Sequence, residues 1–171
     1  MKTFFFLCTS FILFNSSFFA QIKPSTIKGD FDGNKTKDKI TIYESKPGTE
    51  LPAQLGGESP ECNVKTTLKN IKNISLLTEC GQLINEGDLD GNGSDEFSLV
   101  TWSPNGTQVN MNTYKIQKGI LVLICSPQFE PGIGTEVTQK MLENRVFKKD
   151  GGIYYIDSDA AGILETKQVR K

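Results

Sequence analysis

The chain has 171 residues, 19 basic against 20 acidic side chains for a formal net charge of −1, and no histidine. That balance removes the electrostatic basis for nucleic acid or an anionic membrane surface as partner, and the missing histidine excludes Ser-His-Asp and Cys-His nucleophiles, histidine zinc sites and the commonest general base. Nucleophile elbows, Walker loops and dinucleotide fingerprints are also missing from the sequence, so the expectation is a protein that is not an enzyme.

Lys2 opens an apolar run over residues 4–19 that Thr9, Ser10, Asn15, Ser16 and Ser17 interrupt, and Ala20 then precedes the polar Gln21. The pattern reads as an export signal over residues 1–20, since a membrane span needs roughly 20 consecutive apolar residues. Residues 21–171 are then expected to form a single, monomeric β domain in a periplasm or outside the cell, with no membrane span left.

Residues 25–28 lead into the acidic stretch of residues 29–38, which the strand-like residues 39–43 follow. Residues 46–60, with Pro47, Gly48, Pro52, Gly56, Gly57 and Pro60, make a surface loop by composition. Residues 62–68 and 74–80 read as two further strands. Residues 83–86 then lead into a second acidic stretch, residues 87–96, followed by the β-branched and aromatic residues 97–102. A strand, acidic turn, strand unit is thus used twice. The follow-on strands do not match position for position, since Lys39 aligns with Phe97 and Ile40 with Ser98, which argues against exact structural equivalence.

Ser103, Pro104, Asn105 and Gly106 make a turn, and Val109, Met111 and Thr113 alternate with polar residues along the next strand. Lys118-Gly119 closes a hairpin onto residues 120–125, the most hydrophobic segment after the export signal and the expected central strand. Thr135 is placed as the cap of a short helix through Arg145, with Val137, Met141 and Leu142 on one side, and a β-strand is the alternative for this piece. Residues 149–152 join residues 146–147 to residues 153–156 as a hairpin, and residues 163–169 end the chain as a charged edge strand. Core packing is the expected fate of Trp102, Tyr154 and Tyr155, and a solvated turn that of Asp157 and Asp159. The fold class predicted is mainly β, as two blade-like antiparallel sheets in an incomplete propeller or a sandwich, with at most one short helix.

Cys62, Cys80 and Cys125 remain after the export signal. Export favours disulfides, and three cysteines allow three single bridges. Cys62 with Cys80 is the nearest pair and closes a loop between the two acidic stretches. Cys125, in an apolar run, reads as a buried thiol.

The acidic stretches carry the chemistry. Oxygen-bearing side chains recur at the first, third, fifth and ninth loop positions: Asp30, Asp32, Asn34 and Asp38 in one copy, Asp88, Asp90, Asn92 and Glu96 in the other. The carbonyls of Thr36 and Ser94 supply the seventh. Calcium needs such a set, about 6 to 8 oxygens from a short, adaptable turn. An EF-hand is excluded, because it demands a bidentate Glu at the twelfth position and a following helix, whereas Thr41 and Leu99 stand there. Asp95, at the eighth position, is expected to point outward.

The second copy resembles the calcium loop of FG-GAP or VCBS-type, integrin-like repeats, written Gly-Asp-x-Asp-Gly-Asn-Gly-x-x-Asp before a strand; it departs in Glu96, where that pattern has Asp. The first copy has Lys35 in place of the third glycine, at a position that wants a positive φ, which makes it the weaker site. The resemblance covers two stretches of fifteen to twenty residues and implies structural calcium within blade-like sheets. The function expected is a non-catalytic recognition module binding a protein or glycan; the alternative is a periplasmic inhibitor or immunity-type protein that occludes a secreted enzyme or toxin.

Overall fold

The computed structural model describes residues 24–49, 56–103, 107–131, 137–158 and 162–169. Residues 1–20, which the sequence reads as an export signal, and Thr135 and Asp159 lie outside the described residues. The mainly β reading holds. Among the described residues eleven strands run β1 (Ser25–Gly29), β2 (Asp38–Lys46), β3 (Glu61–Thr66), β4 (Gln82–Gly87), β5 (Glu96–Trp102), β6 (Val109–Gln117), β7 (Ile120–Cys125), β8 (Gln128–Phe129), β9 (Val146–Lys149), β10 (Gly152–Ser158) and β11 (Leu164–Gln168), with one short helix, α1 (Gln139–Leu142). Among the described residues no helix is long and apolar enough to cross a membrane.

Among the described residues every pair of neighbouring strands is antiparallel and no barrel closes. The first sheet has the order β1-β2-β3. The second runs β4-β5-β6-β7 with β8 on β6, and a third, β11-β10-β9, adds to the two expected. These sheets stack in layers, because the second has apolar side chains on both faces. Leu83, Phe97, Leu99, Ile116 and Leu121 face Ile27, Ile40, Ile42 and Cys62 of the first sheet. Ile84, Val100, Met111 and Cys125 on the opposite face meet Val146 of the third sheet and Leu142 of α1, with Ile153 and Tyr155 against them. Alternation along β5 sends neighbouring residues to opposite cores, which is why its first six residues are all buried.

Four local expectations are overturned. The hydrophobic β7 lies at the outer end of its sheet rather than in the middle, with Ile120 and Leu123 42% and 53% exposed. Hydrophobic composition does not fix rank in a sheet; β5 is central because both its faces are covered. Residues 74–80 form no strand. Asn70 and Asn73 adopt positive φ there, a 3-10 turn covers Ile74–Leu76, and buried Leu77 anchors the crossing. The Asn73 side chain explains the turn, since its amide donates to the Leu121 carbonyl at 3.3 Å and its oxygen accepts from the Leu121 N–H at 2.9 Å, capping the edge of β7. Trp102 is 42% exposed at the end of β5, and Asp157 sits within β10, bound by Lys167 at 2.8 Å, rather than in a turn.

Cys62 and Cys80 form the disulfide, with Cα atoms 5.1 Å apart, and Cys125 is a buried free thiol. The bridge ties β3 to the segment entering β4 and so couples the first two sheets. Closing an 18-residue separation contributes about 3 kcal/mol in the loop-entropy model. Phe97 is fully buried between those sheets, edge-on to Phe31 at 5.4 Å and tilted on Tyr114 at 5.9 Å. Phe97→Ala is therefore expected to cost about 3 to 5 kcal/mol, read as a lowered urea midpoint at unchanged slope.

Candidate metal centres

Each acidic stretch is the connection of a hairpin, one joining β1 to β2 and the other β4 to β5. The closing pairs are equivalent, Gly29 opposite Asp38 and Gly87 opposite Glu96. The loops also fold alike. Lys35 N–H donates to Asp30 Oδ2 at 2.8 Å, and Gly93 N–H to Asp88 Oδ2 at 3.0 Å. Asn34 N–H reaches Asp32 Oδ1 at 3.2 Å, and Asn92 N–H reaches Asp90 Oδ1 at 3.1 Å. Thr36 N–H and Ser94 N–H bind the Asn34 and Asn92 side-chain oxygens at 2.7 and 2.8 Å. The two loops thus fold alike, as the repeated oxygen spacing predicts, while the hairpins that carry them differ. A bulge inserts Glu86 into β4 just before the second loop, whereas β1 pairs with β2 without interruption.

Lys35 takes φ 66° where Gly93 takes 91°. The left-handed turn expected at this position is present, and a residue carrying Cβ holds it at a cost of about 1 to 2 kcal/mol.

The geometry gathers three carboxylates in each loop, Asp30 with Asp32 and Asp38, and Asp88 with Asp90 and Glu96; in each set one oxygen per side chain lies within 4.8 Å of the others. Asn34 and Asn92 sit in the same turns but turn their oxygens to Thr36 and Ser94, including both hydroxyls. The ninth-position carboxylates are drawn inward. Asp38 is 6% exposed and Glu96 fully buried. Glu96 Oε2 accepts the Leu89 and Asp90 N–H groups at 2.7 and 3.3 Å. Its Oε1 finds no hydrogen-bond partner among the described residues, nor do Asp30 Oδ1 and Asp38 Oδ2.

Burial pushes the Glu96 carboxyl up to about 7, and the charges of Asp90 and Asp88 add to the rise. Burial also raises Asp38, helped by Asp32 and Asp30. Glu86, the bulge residue, is pushed up to about 7 by burial and leaves Oε1 without a partner.

Residues outside the motif complete the surroundings. Lys115 on β6 places its ammonium 3.2 Å from Asp90 Oδ2 and offsets part of the second loop's charge. A Cβ on Gly91 would stand 2.8 Å from Lys148 Nζ, so the third sheet brings another cation over this loop. No spacing in the sequence points to either lysine, because each arrives by sheet packing. Asp95 does not point outward as expected. Its backbone N–H donates to the Asp30 carbonyl at 2.7 Å, and its Oδ2 accepts the Asp30 N–H at 3.1 Å.

Comparison with protein-family models, curated proteins and solved structures finds no match for this chain.

A carboxyl whose folded pKa is raised keeps its proton longer folded than unfolded. Between about 4.5 and 7 the native chain thus binds more protons at Glu96 than the unfolded chain does, and stability falls as pH climbs through that window. In chelator, the urea midpoint is expected to be lower at pH 8 than at pH 5, and Glu96→Gln should flatten that slope and raise the pH 8 midpoint. A midpoint that rises with pH in the unsubstituted protein would contradict the desolvated-carboxylate account.

Proposed function

We propose that this chain is an exported, non-catalytic recognition module in which each acidic hairpin loop holds a structural calcium ion, in the manner of the FG-GAP-type repeats that its loops resemble. The observation that carries the reading is the pair of like-folded loops whose buried carboxylate oxygens lack protein donors. A buried, unpaired carboxylate is costly, and a hard divalent cation is what a set made only of oxygens accepts best. Asp88, Asp90 and Glu96, with Asn92 and the Ser94 carbonyl, would hold one ion. Asp30, Asp32 and Asp38, with Asn34 and the Thr36 carbonyl, would hold the other.

The stacking of the layers supports the same reading. Phe31, the residue after the first ligand of the first loop, plugs the core between the first and second sheets, and Leu89, its counterpart in the second loop, plugs the core between the second and third. Each loop thus leans on the next sheet, as a blade leans on its neighbour. Calcium bound to such loops would remove the repulsion among the carboxylates and fix the hairpin ends. The Cys62–Cys80 disulfide fits an exported chain.

A thermal melt tests this directly. Calcium at 100 times its Kd is expected to stabilise the protein by about 2.7 kcal/mol per site relative to chelator, and magnesium at equal concentration by less. Asp88→Ala combined with Glu96→Gln should remove the second loop's share of the shift. Identical melts in calcium and chelator would overturn the proposal.

A further inference from the structure

Asp95 occupies a place no ligand pattern accounts for. It stands between Ser94 and Glu96 of the second loop, yet its partners belong to the first: it exchanges two hydrogen bonds with the backbone of Asp30, at 2.7 and 3.1 Å. Asn85 braces the contact. Its amide donates to Asp95 Oδ2 at 3.3 Å and to the Lys28 carbonyl at 2.9 Å, and so reaches both hairpins. Gly29 leaves the room this requires, since a Cβ there would stand 2.5 Å from Asp95 Oδ2 and 2.7 Å from Asn85 Nδ2. The first residue of one acidic cluster is thereby held, through its peptide, by the residue preceding the buried carboxylate of the other.

We infer that Asp95 is a positioning residue that makes the two loops one coupled unit, so that calcium in the second loop raises the affinity of the first. The inference rests on the calcium reading of both loops. Closure of the second loop around an ion fixes Glu96 and with it the backbone of Asp95. The fixed Asp95 then sets the Asp30 peptide, from which the first cluster's leading carboxylate springs. The first loop has the more to gain, because Lys35 strains it. An opposing effect exists, as an ion in one loop cancels charge that would attract an ion to the other. That effect is altered equally by Asp95→Ala and Asp95→Asn, whereas the ordering depends on an acceptor for the Asp30 N–H, so the two variants separate them.

Calorimetric titration of the full exported protein with calcium tests this, using a variant with a silent second loop (Asp88→Asn with Glu96→Gln) alongside Asp95→Ala and Asp95→Asn. Silencing the second loop is expected to weaken the first by about 5-fold or more, within the usual range of allosteric coupling. Asp95→Ala should still take up two ions but with a similarly weakened first site, whereas Asp95→Asn keeps an acceptor for the Asp30 N–H and should bind nearly as the parent does. Hydrogen exchange supplies a second readout: with the first loop silenced by Asp32→Asn and Asp38→Asn, calcium should still slow exchange at the Asp30 amide. Two ions binding with affinities that ignore the second-loop substitutions would overturn the coupling and leave the calcium reading intact. Equal losses in Asp95→Ala and Asp95→Asn would show the residue acting by charge and overturn its positioning role. Absence of any calcium binding to the parent would defeat the underlying reading and the coupling together.

Discussion

Inward-turned carboxylate on a hairpin end is the constraint around which the rest of this structure is arranged. Asp38 and Glu96 begin β2 and β5, where the pleat points them toward the cores rather than the solvent. Each is desolvated and crowded by two more carboxylates from its own loop. Backbone N–H groups answer part of this charge: the second loop offers Leu89 and Asp90 to Glu96, and Gly91, Asn92 and Gly93 to Asp88. Asp30 Oδ1, Asp38 Oδ2 and Glu96 Oε1 are left without a donor among the described residues.

Layering follows from the same loops. An acidic turn that curls over its own sheet presents the residue after its first carboxylate to the neighbouring layer, and that residue is apolar in both copies, Phe31 and Leu89. The second sheet therefore receives one loop's plug on one face and sends its own plug from the other, which buries both faces of β5. The polar residues of that strand stay tolerable by pairing across the sheet, as in the fully buried Ser98–Thr113 hydroxyl contact at 2.8 Å. The third sheet differs in its first hairpin. Its first hairpin turns tightly through Asp150 and Gly151, both at positive φ, and a lysine of β9 lies over Gly91 where the first loop has Ser94 beside Gly33.

Two covalent and polar ties keep the first two layers in register. The disulfide anchors β3 to the entry of β4, and the Ser25 hydroxyl oxygen accepts the Leu83 N–H at 2.7 Å at the far end of β1 from its acidic loop. With Asn85 reaching back to the Lys28 carbonyl, the two repeated hairpins are joined along their length as well as at their tips. The acidic loops are for this reason neighbours in space although a proline- and glycine-rich loop separates them along the chain.

What the sequence by itself determined is what short-range chemistry controls. The period-two patterning of β2 and β6, the paired left-handed turns at Lys118-Gly119 and Asp150-Gly151, the oxygen spacing of both acidic loops and the nearest-neighbour disulfide all depend on residues a few positions apart, so a linear reading reaches them. Tertiary structure alone decided that β5 rather than the more hydrophobic β7 lies within its sheet, that Asn73 turns residues 74–80 away from a strand, that Lys115 and Lys148 lean on the second loop, and that Asp95 clasps Asp30. Each of these is a contact between segments far apart in the chain. Hydrophobicity and turn propensity carry no record of which distant partner will cover a face or accept a hydrogen bond, and only the stacking of the layers supplies it.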